Sequence, residues 1–291
     1  MNASQRPIVV GVDGSRDARS AAGWAAEQAR DRGRPLILVH CLTWPFEGVS
    51  TSGTDTAAGP HSGAESLLRT MADELGAILP RDRIDWRVEQ GDPVAALCAD
   101  SATAEVVVVG ARGVGGVAGL LIGSTATALV SAARCPVVVL PDDSTVVVSE
   151  RHSVVVGVEC RGRDEEVLDF AFTEAAARGT DLVAVHAWQD AALGPGIRTV
   201  GPLVDWATVA ADEQRILAEA IAGWREKQPD VGVREVVVRG RTAPSLVAAA
   251  MTAELLVVGR PPHGPIGRLG SATHGVLHRA GCPVAVVPVG D

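Results

Sequence analysis

The sequence predicts an α/β protein made of two tandem domains, each a five-stranded parallel sheet flanked by helices. Two observations carry this. Short runs such as Ile8-Val9-Val10, Val106-Val107-Val108-Val109 and Val137-Val138-Val139 are apolar and β-branched throughout, as strands buried on both faces require, and Ala-rich helical stretches separate them. The pattern also occurs twice. Pro35-Leu36-Ile37-Leu38-Val39-His40 returns 146 positions later as Asp181-Leu182-Val183-Ala184-Val185-His186, and Pro7–Asp13 returns at the same offset as Ser153–Glu159. Ala104–Gly110 is answered by Ala253–Gly259, and Cys135-Pro136-Val137 by Cys282-Pro283-Val284. Four landmarks in one order indicate a duplicated domain of ordinary size.

In the first half the elements follow in order: strand 8–12, helix 18–31, strand 36–41, a polar Gly/Ser/Thr/Pro-rich loop at about 43–62, and helix 64–79. Then come strand 84–89, helix 92–102, strand 105–109, helix 124–133 and strand 136–140. Strands alternating with helices imply right-handed crossovers, and a doubly wound order 3-2-1-4-5 places strands one and four side by side. The domains are expected at 1–143 and 152–291. The linker at 142–152 is polar at both ends and contains Thr145-Val146-Val147-Val148, a candidate extra strand. The Gly/Pro-bearing segment 188–202 is a candidate lid. Val137–Leu140 and Val284–Val287 would be exposed apolar edges unless the halves pair through them as a pseudo-dimer, and two chains are expected to form a homodimer.

Of 291 residues 47% are hydrophobic, so a large core is available; with six Trp, three Phe and no Tyr it rests on Val, Leu, Ile and Ala. The net charge of −9 argues against nucleic acid as a partner, since phosphate neutralisation needs many cations. Lys227 is the only lysine among 26 basic residues, so a nucleotide site must use backbone amides and arginine. No apolar run is long enough to span a membrane. Five widely spaced cysteines without a C-x-x-C pair fit reduced thiols and a cytoplasmic location.

The most informative stretch is Val106–Leu140. A buried strand ends at Gly110, a glycine-crowded loop runs to Gly123-Ser124, and a short helix follows. Gly110 and Gly113 give the backbone room to turn and let another molecule approach, and Ser124 stands where a helix N-cap belongs. Unpaired amides at a helix N-terminus favour an anion, so the stretch reads as a phosphate cradle. Asp13, after strand one, would line the same crevice, and Arg112 inside the loop is a candidate phosphate contact. The loop is not a Walker motif, because no lysine lies near its glycines.

The spacing Gly110-x-x-Gly113, nine residues, then Gly123-Ser124 matches the G-2x-G-9x-G-(S/T) pattern of the ATP-binding universal stress proteins, and the chain resembles a tandem member of that family over almost its whole length. The resemblance implies a Rossmann-like fold of the adenine nucleotide α hydrolase type in each half, with ATP, and Mg²⁺ as a candidate companion, at the switch point. It further implies that Gly11 and Asp13 meet the adenosine part and that the backbone of Cys41 meets adenine. Val109 and Gly110 would lie under the nucleotide. Gly113, Gly123, Ser124, Thr125 and Ala126 would face ribose and phosphates.

The second half departs from the pattern. Its corresponding positions are Glu159, Ala187, Val258, Gly259, Gly270, Ser271, Ala272 and Thr273. Glu159 is one methylene longer than aspartate, the loop is two residues shorter, and Pro262 replaces the second glycine with Pro261 and Pro265 beside it. Proline removes an amide donor and fixes φ, so weak or absent nucleotide binding is expected there.

Other features read as structural. Asp13 alone would be a turn or cap residue. His40 and His186 at strand ends have no nucleophile placed by a motif. His274 and His278 share a helix face, but Gly275 stands where a zinc-protease helix needs glutamate; with His263 they read as surface or subunit-contact residues. Cys135 and Cys282 read as packing. Gly11-Val12-Asp13-Gly14 lacks the third glycine of a dinucleotide fingerprint. Without lysine near the glycines or a carboxylate cluster, a regulatory ATP binder is favoured over a slow ATPase or other nucleotide-using enzyme, and the resemblance implies a role in stress and growth adaptation. No catalytic residue and no resident metal are assigned.

Overall fold

The computed structural model describes residues 6–43, 60–114, 122–142, 153–189, 205–260 and 269–290. The chain divides at residue 145 into two compact units.

The first unit runs β1 (Ile8–Gly11), α1 (Arg16–Asp31), β2 (Leu36–Leu42), α2 (Pro60–Leu75), a 3₁₀ turn (Arg81–Arg83), β3 (Ile84–Gln90), α3 (Pro93–Asp100), β4 (Val106–Gly110), α4 (Ser124–Ala132) and β5 (Val137–Leu140). Its strands are parallel in the order β3-β2-β1-β4-β5. Helix α1 starts because the Ser15 hydroxyl accepts from the Ala18 amide at 3.1 Å. Ala18, Ala21, Ala22, Ala25, Ala26 and Ala29 form its buried face, and such small residues let the helix lie close to the sheet. Gly33, at φ +65°, turns the chain into β2. Asp92 accepts from the Val94 and Ala95 amides and Pro93 opens α3. Helix α2 begins and ends about a turn earlier than the sequence predicts. Gly76 follows its last residue, and Ile78 and Leu79 bond back to Leu75 in a tighter turn.

The second unit repeats this with β6 (Ser153–Gly157), α5 (Glu165–Arg178), β7 (Asp181–Trp188), α6 (Trp206–Lys227), β8 (Val233–Arg239), α7 (Thr242–Ala249), β9 (Ala253–Arg260), α8 (Ser271–Leu277) and β10 (Val284–Pro288). Its parallel order is β8-β7-β6-β9-β10. Gly179 (φ +62°) closes α5, and the fully buried Phe172 stacks on Trp224 with centroids 5.9 Å apart. Ion pairs link the end of each unit's first helix to the start of its fourth strand: Arg32 and Arg34, just after α1, to Glu105, just before β4, and Arg178 of α5 to Glu254 of β9.

Both cores consist of Val, Leu, Ile and Ala with few aromatics. Among the described residues no helix is long and apolar enough to cross a membrane. Several expectations lie outside the described residues: the interior of the 43–62 loop, the strand at Thr145–Val148, most of the 188–202 segment, His263 and the prolines Pro261, Pro262 and Pro265.

Candidate functional site

In the first unit β1 and β4 lie side by side, with Ile8 opposite Val106 and Val10 opposite Val108. Beyond their C-terminal ends the chain turns to opposite faces of the sheet. A cleft of about 630 Å³ opens there, within the size range of small-ligand sites. Gly11, Asp13, Cys41, Val109, Gly110, Arg112, Gly113, Gly123, Ser124, Thr125 and Ala126 all line it. The motif reading missed the apolar wall. Val39 on β2, Leu97 on α3 and Ile122 before α4 form one side, with Pro93 at the start of α3. The signal was available in the 3-2-1-4-5 order, which brings α3 beside β1.

One end of this cleft is formed by the start of α4. Helix α4 begins at Ser124, and its N-cap is Gly123, which has no side chain to satisfy the first-turn amides. This corrects Ser124 as the cap. The Gly123 amide donates to the Ala111 carbonyl at 2.7 Å and pulls the loop tight one residue earlier. The positive end of α4 therefore faces the cleft without a capping oxygen.

The glycines divide by role. A Cβ on Gly110 would sit 2.7 Å from the carbonyl carbon and Cβ of Asp17, so Gly110 exists for the approach of α1 to β4. A Cβ on Gly11 would sit 2.9 Å from Leu97 Cδ1, again a packing contact. At Gly113 the nearest neighbour is different: a Cβ there would lie 2.3 Å from Asp13 Oδ2.

Asp13 is exposed and organises both loops. Its Oδ1 accepts from the Ser15 amide at 2.9 Å and its Oδ2 from the Val114 amide at 2.8 Å. It caps no helix; Ser15 does that. The buried Asp17 carboxylate accepts from the Arg112 amide at 3.1 Å, and Arg112 Nε lies 3.6 Å from the same oxygen. Arg112 Nη2 also donates to Asp142 just after β5. His40 turns Nδ1 to the Val12 carbonyl at 2.7 Å, so it holds the β1–α1 turn. Burial, with Glu89, Asp100 and Asp92 nearby, pushes the Cys41 thiol up to about 11, which leaves it a neutral group of the cleft wall.

The second unit fills the same places with its own groups. Glu159 is exposed, while its amide and that of Cys160 donate to the buried Asp164 carboxylate at 2.8 and 2.9 Å. Cys160 takes φ +58° where Gly14 takes +86° in the first unit. Thr273, at the position of Ala126, is buried and donates its hydroxyl to the Gly259 carbonyl at 3.2 Å. A Cβ on Gly259 would lie 3.1 Å from Val167 Cγ2 and 3.3 Å from Val289 Cγ2. Ala187 is half-buried and Val258 buried at the ends of their strands, and Ser271 and Ala272 open α8 behind the N-cap Gly270. His186 repeats the turn bond to the Val158 carbonyl at 2.9 Å, with Nε2 3.1 Å from Glu213. His274 on α8 and His278, the residue that caps it, touch edge to face with centroids 4.3 Å apart. Among the described residues no group of three or more His, Cys, Asp or Glu forms a metal cluster.

Comparison with known proteins agrees with this architecture. A model described as the universal stress protein family matches residues 5–141 and again 150–288. The chain is 36% identical to a universal stress protein of Mycobacterium tuberculosis (strain ATCC 25618 / H37Rv), with 97% of each chain covered. It is 33% identical to one of Mycolicibacterium smegmatis (strain ATCC 700084 / mc(2)155), with 98% of each covered. Among solved structures, a universal stress protein from Archaeoglobus fulgidus DSM 4304 superposes with a TM-score of 0.70 at 19% identity, covering 99% of this chain and 98% of that one. At that identity the likeness concerns the fold.

Proposed function

Taking as premise that the chain belongs to the universal stress protein family, we propose that it is a regulatory ATP-binding protein whose nucleotide site is the cleft of the first unit. The observation that carries this reading is the convergence, in one cleft, of an uncapped helix N-terminus, a glycine whose missing side chain makes room for Asp13 and an apolar wall. Triphosphate would lie against Gly113, Gly123, Ser124 and Thr125, where amides and hydroxyls face an anion. The sugar and base would lie toward Gly11, Asp13 and Cys41 over Val109 and Gly110, beside Val39 and Leu97. Ala126 leaves space where the second unit has threonine, and Arg112 supplies the cation. Mg²⁺, if carried, would enter with the nucleotide. Five free thiols suit a reducing compartment, and we place the protein in the cytoplasm, acting as a homodimer.

The test is ATP affinity by equilibrium dialysis for the wild type and Gly113→Glu, with the nucleotide recovered from the purified protein identified by mass. Glutamate puts bulk and negative charge against Asp13, and binding is expected to fall by at least about a hundredfold, or about 2.7 kcal/mol. Equal affinity in a folded variant overturns the proposal. Sustained turnover abolished by Asp13→Ala would instead identify an enzyme.

A further inference from the structure

The first two glycines of the loop each make room for a carboxylate. A Cβ on Gly110 would press on the backbone and Cβ of Asp17, and one on Gly113 would meet Asp13 Oδ2. Those two carboxylates hold the loop by its backbone. Asp17, 7% exposed, accepts from the Arg112 amide at 3.1 Å, and Asp13 accepts from the Val114 amide at 2.8 Å. Between them the Ser15 hydroxyl donates to the Arg112 carbonyl at 3.4 Å, while the Ser15 amide fixes the other oxygen of Asp13 at 2.9 Å. Residues 112 and 114 are thus gripped on either side of Gly113. The second unit has other groups at these places. The 146-residue offset puts Glu159, Arg161 and Arg163 where Asp13, Ser15 and Asp17 stand, and Pro262 where Gly113 stands. Arg161 and Arg163 are exposed, and a guanidinium has no acceptor to offer a loop amide. The buried Asp164 serves amides of its own turn instead.

We propose that Asp13 and Asp17 are positioning residues for phosphate: by holding the Val114 and Arg112 amides they fix the loop against which a nucleotide's phosphates lie. This rests on the cleft being the ATP site and gives Gly110 and Gly113 a common purpose, to admit the carboxylates that set the loop. A loop already held before the ligand arrives does not have to be ordered on binding, so the clamp contributes affinity through preorganisation. Adenosine, which has no phosphate, gains nothing from it. The clamp therefore acts on the phosphate end of the ligand, whatever contact Asp13 makes with the adenosine part.

The experiment titrates the full chain with ATP and with adenosine, as wild type, Asp13→Ala, Asp17→Ala and the double variant. Each single variant is expected to bind ATP at least about fivefold more weakly, the low end of ordinary coupling. Adenosine should bind Asp17→Ala as it binds the wild type, and Asp13→Ala should lose more for ATP than for adenosine. Because both carboxylates hold one loop, the double variant should lose less than the product of the single losses. Without ligand, hydrogen exchange of the Val114 amide should quicken in Asp13→Ala and that of the Arg112 amide in Asp17→Ala. If alanine beside Gly110 does not fold, Asp17→Asn keeps the shape and one acceptor, and the same selective loss for ATP is expected of it.

Single variants that bind ATP as the wild type does, or more tightly, overturn the proposal; tighter binding would mean that the carboxylates only repel phosphate. Equal losses for ATP and adenosine overturn it as well, because they would belong to adenosine contact or to a general loss of fold. So do fully multiplicative losses in the double variant, and loop amides that exchange alike in all four proteins. Failure of the underlying site reading is distinguishable: the wild type then fails to bind ATP, or Gly113→Glu binds it equally, and the proposal falls with that reading.

Discussion

Gly110 and Gly113 stand three positions apart in one motif, and substitution separates them. Alanine at Gly110 would press its Cβ on the backbone of α1, which cannot rotate away, so Gly110→Ala should destabilise the fold by about 1–3 kcal/mol in urea unfolding. Alanine at Gly113 meets only the exposed carboxylate of Asp13, which can swing aside; stability should change little while the Asp13 bond to the Val114 amide is lost. The cysteines give a pH test. Burial holds Cys135 and Cys160 up to about 12 and Cys41 to about 11, so each folded thiol keeps its proton more tightly than in the unfolded chain. Their contribution to stability is complete below the ordinary thiol range and lost as pH rises through these folded values. Alkylation of native protein should be slow at pH 8 and accelerate steeply above pH 10 for Cys41, measured by mass spectrometry. Rapid labelling of Cys41 at pH 7 would contradict its raised thiol pKa.

Among the elements, the β6–α5 turn carries the clearest strain. Cys160 adopts a left-handed backbone that the first unit assigns to Gly14, and Asp164 holds it there through two amides. Cys160→Gly should therefore stabilise the protein, by up to about 1 kcal/mol once glycine's greater unfolded-state entropy is subtracted. Asp164→Ala should destabilise by about 2 kcal/mol or more, since both amides lose their acceptor. Thermal melts of the two variants moving in the same direction would refute this account of the turn. Helix α1 offers a simpler case. Ser15→Ala removes its cap and should cost about 1 kcal/mol.

For the whole molecule, duplication has left two units of one strand order that differ in the groups at their strand ends. Both units start the helix after their fourth strand behind a glycine without a side-chain cap, but in the second Asp164 accepts from the Glu159 and Cys160 amides and Thr273 donates to the Gly259 carbonyl. One ATP per chain is therefore expected in titration calorimetry, and two equal sites would require a different explanation of the second unit. The net charge of −9 opposes polyanion binding in general, so on the proposed reading ATP affinity comes from oriented amides and the one arginine and should fall only modestly with salt.

What the residues determined unaided was the local and the periodic: the duplication, the parallel strand order and the glycine spacing. Buried β-branched runs and helix-forming alanines act within a few positions of themselves, and the same pattern written twice leaves little room for another arrangement. Tertiary structure alone decided which glycine faces a helix and which faces a carboxylate, that Gly123 rather than Ser124 caps α4, and what Arg112 holds. Those outcomes depend on partners such as Asp13 with Val114, and Asp17 with Arg112, which are 101 and 95 positions apart in the chain. No local preference reaches that far; the sheet brings them together because β1 and β4, distant in sequence, are neighbours in hydrogen bonding.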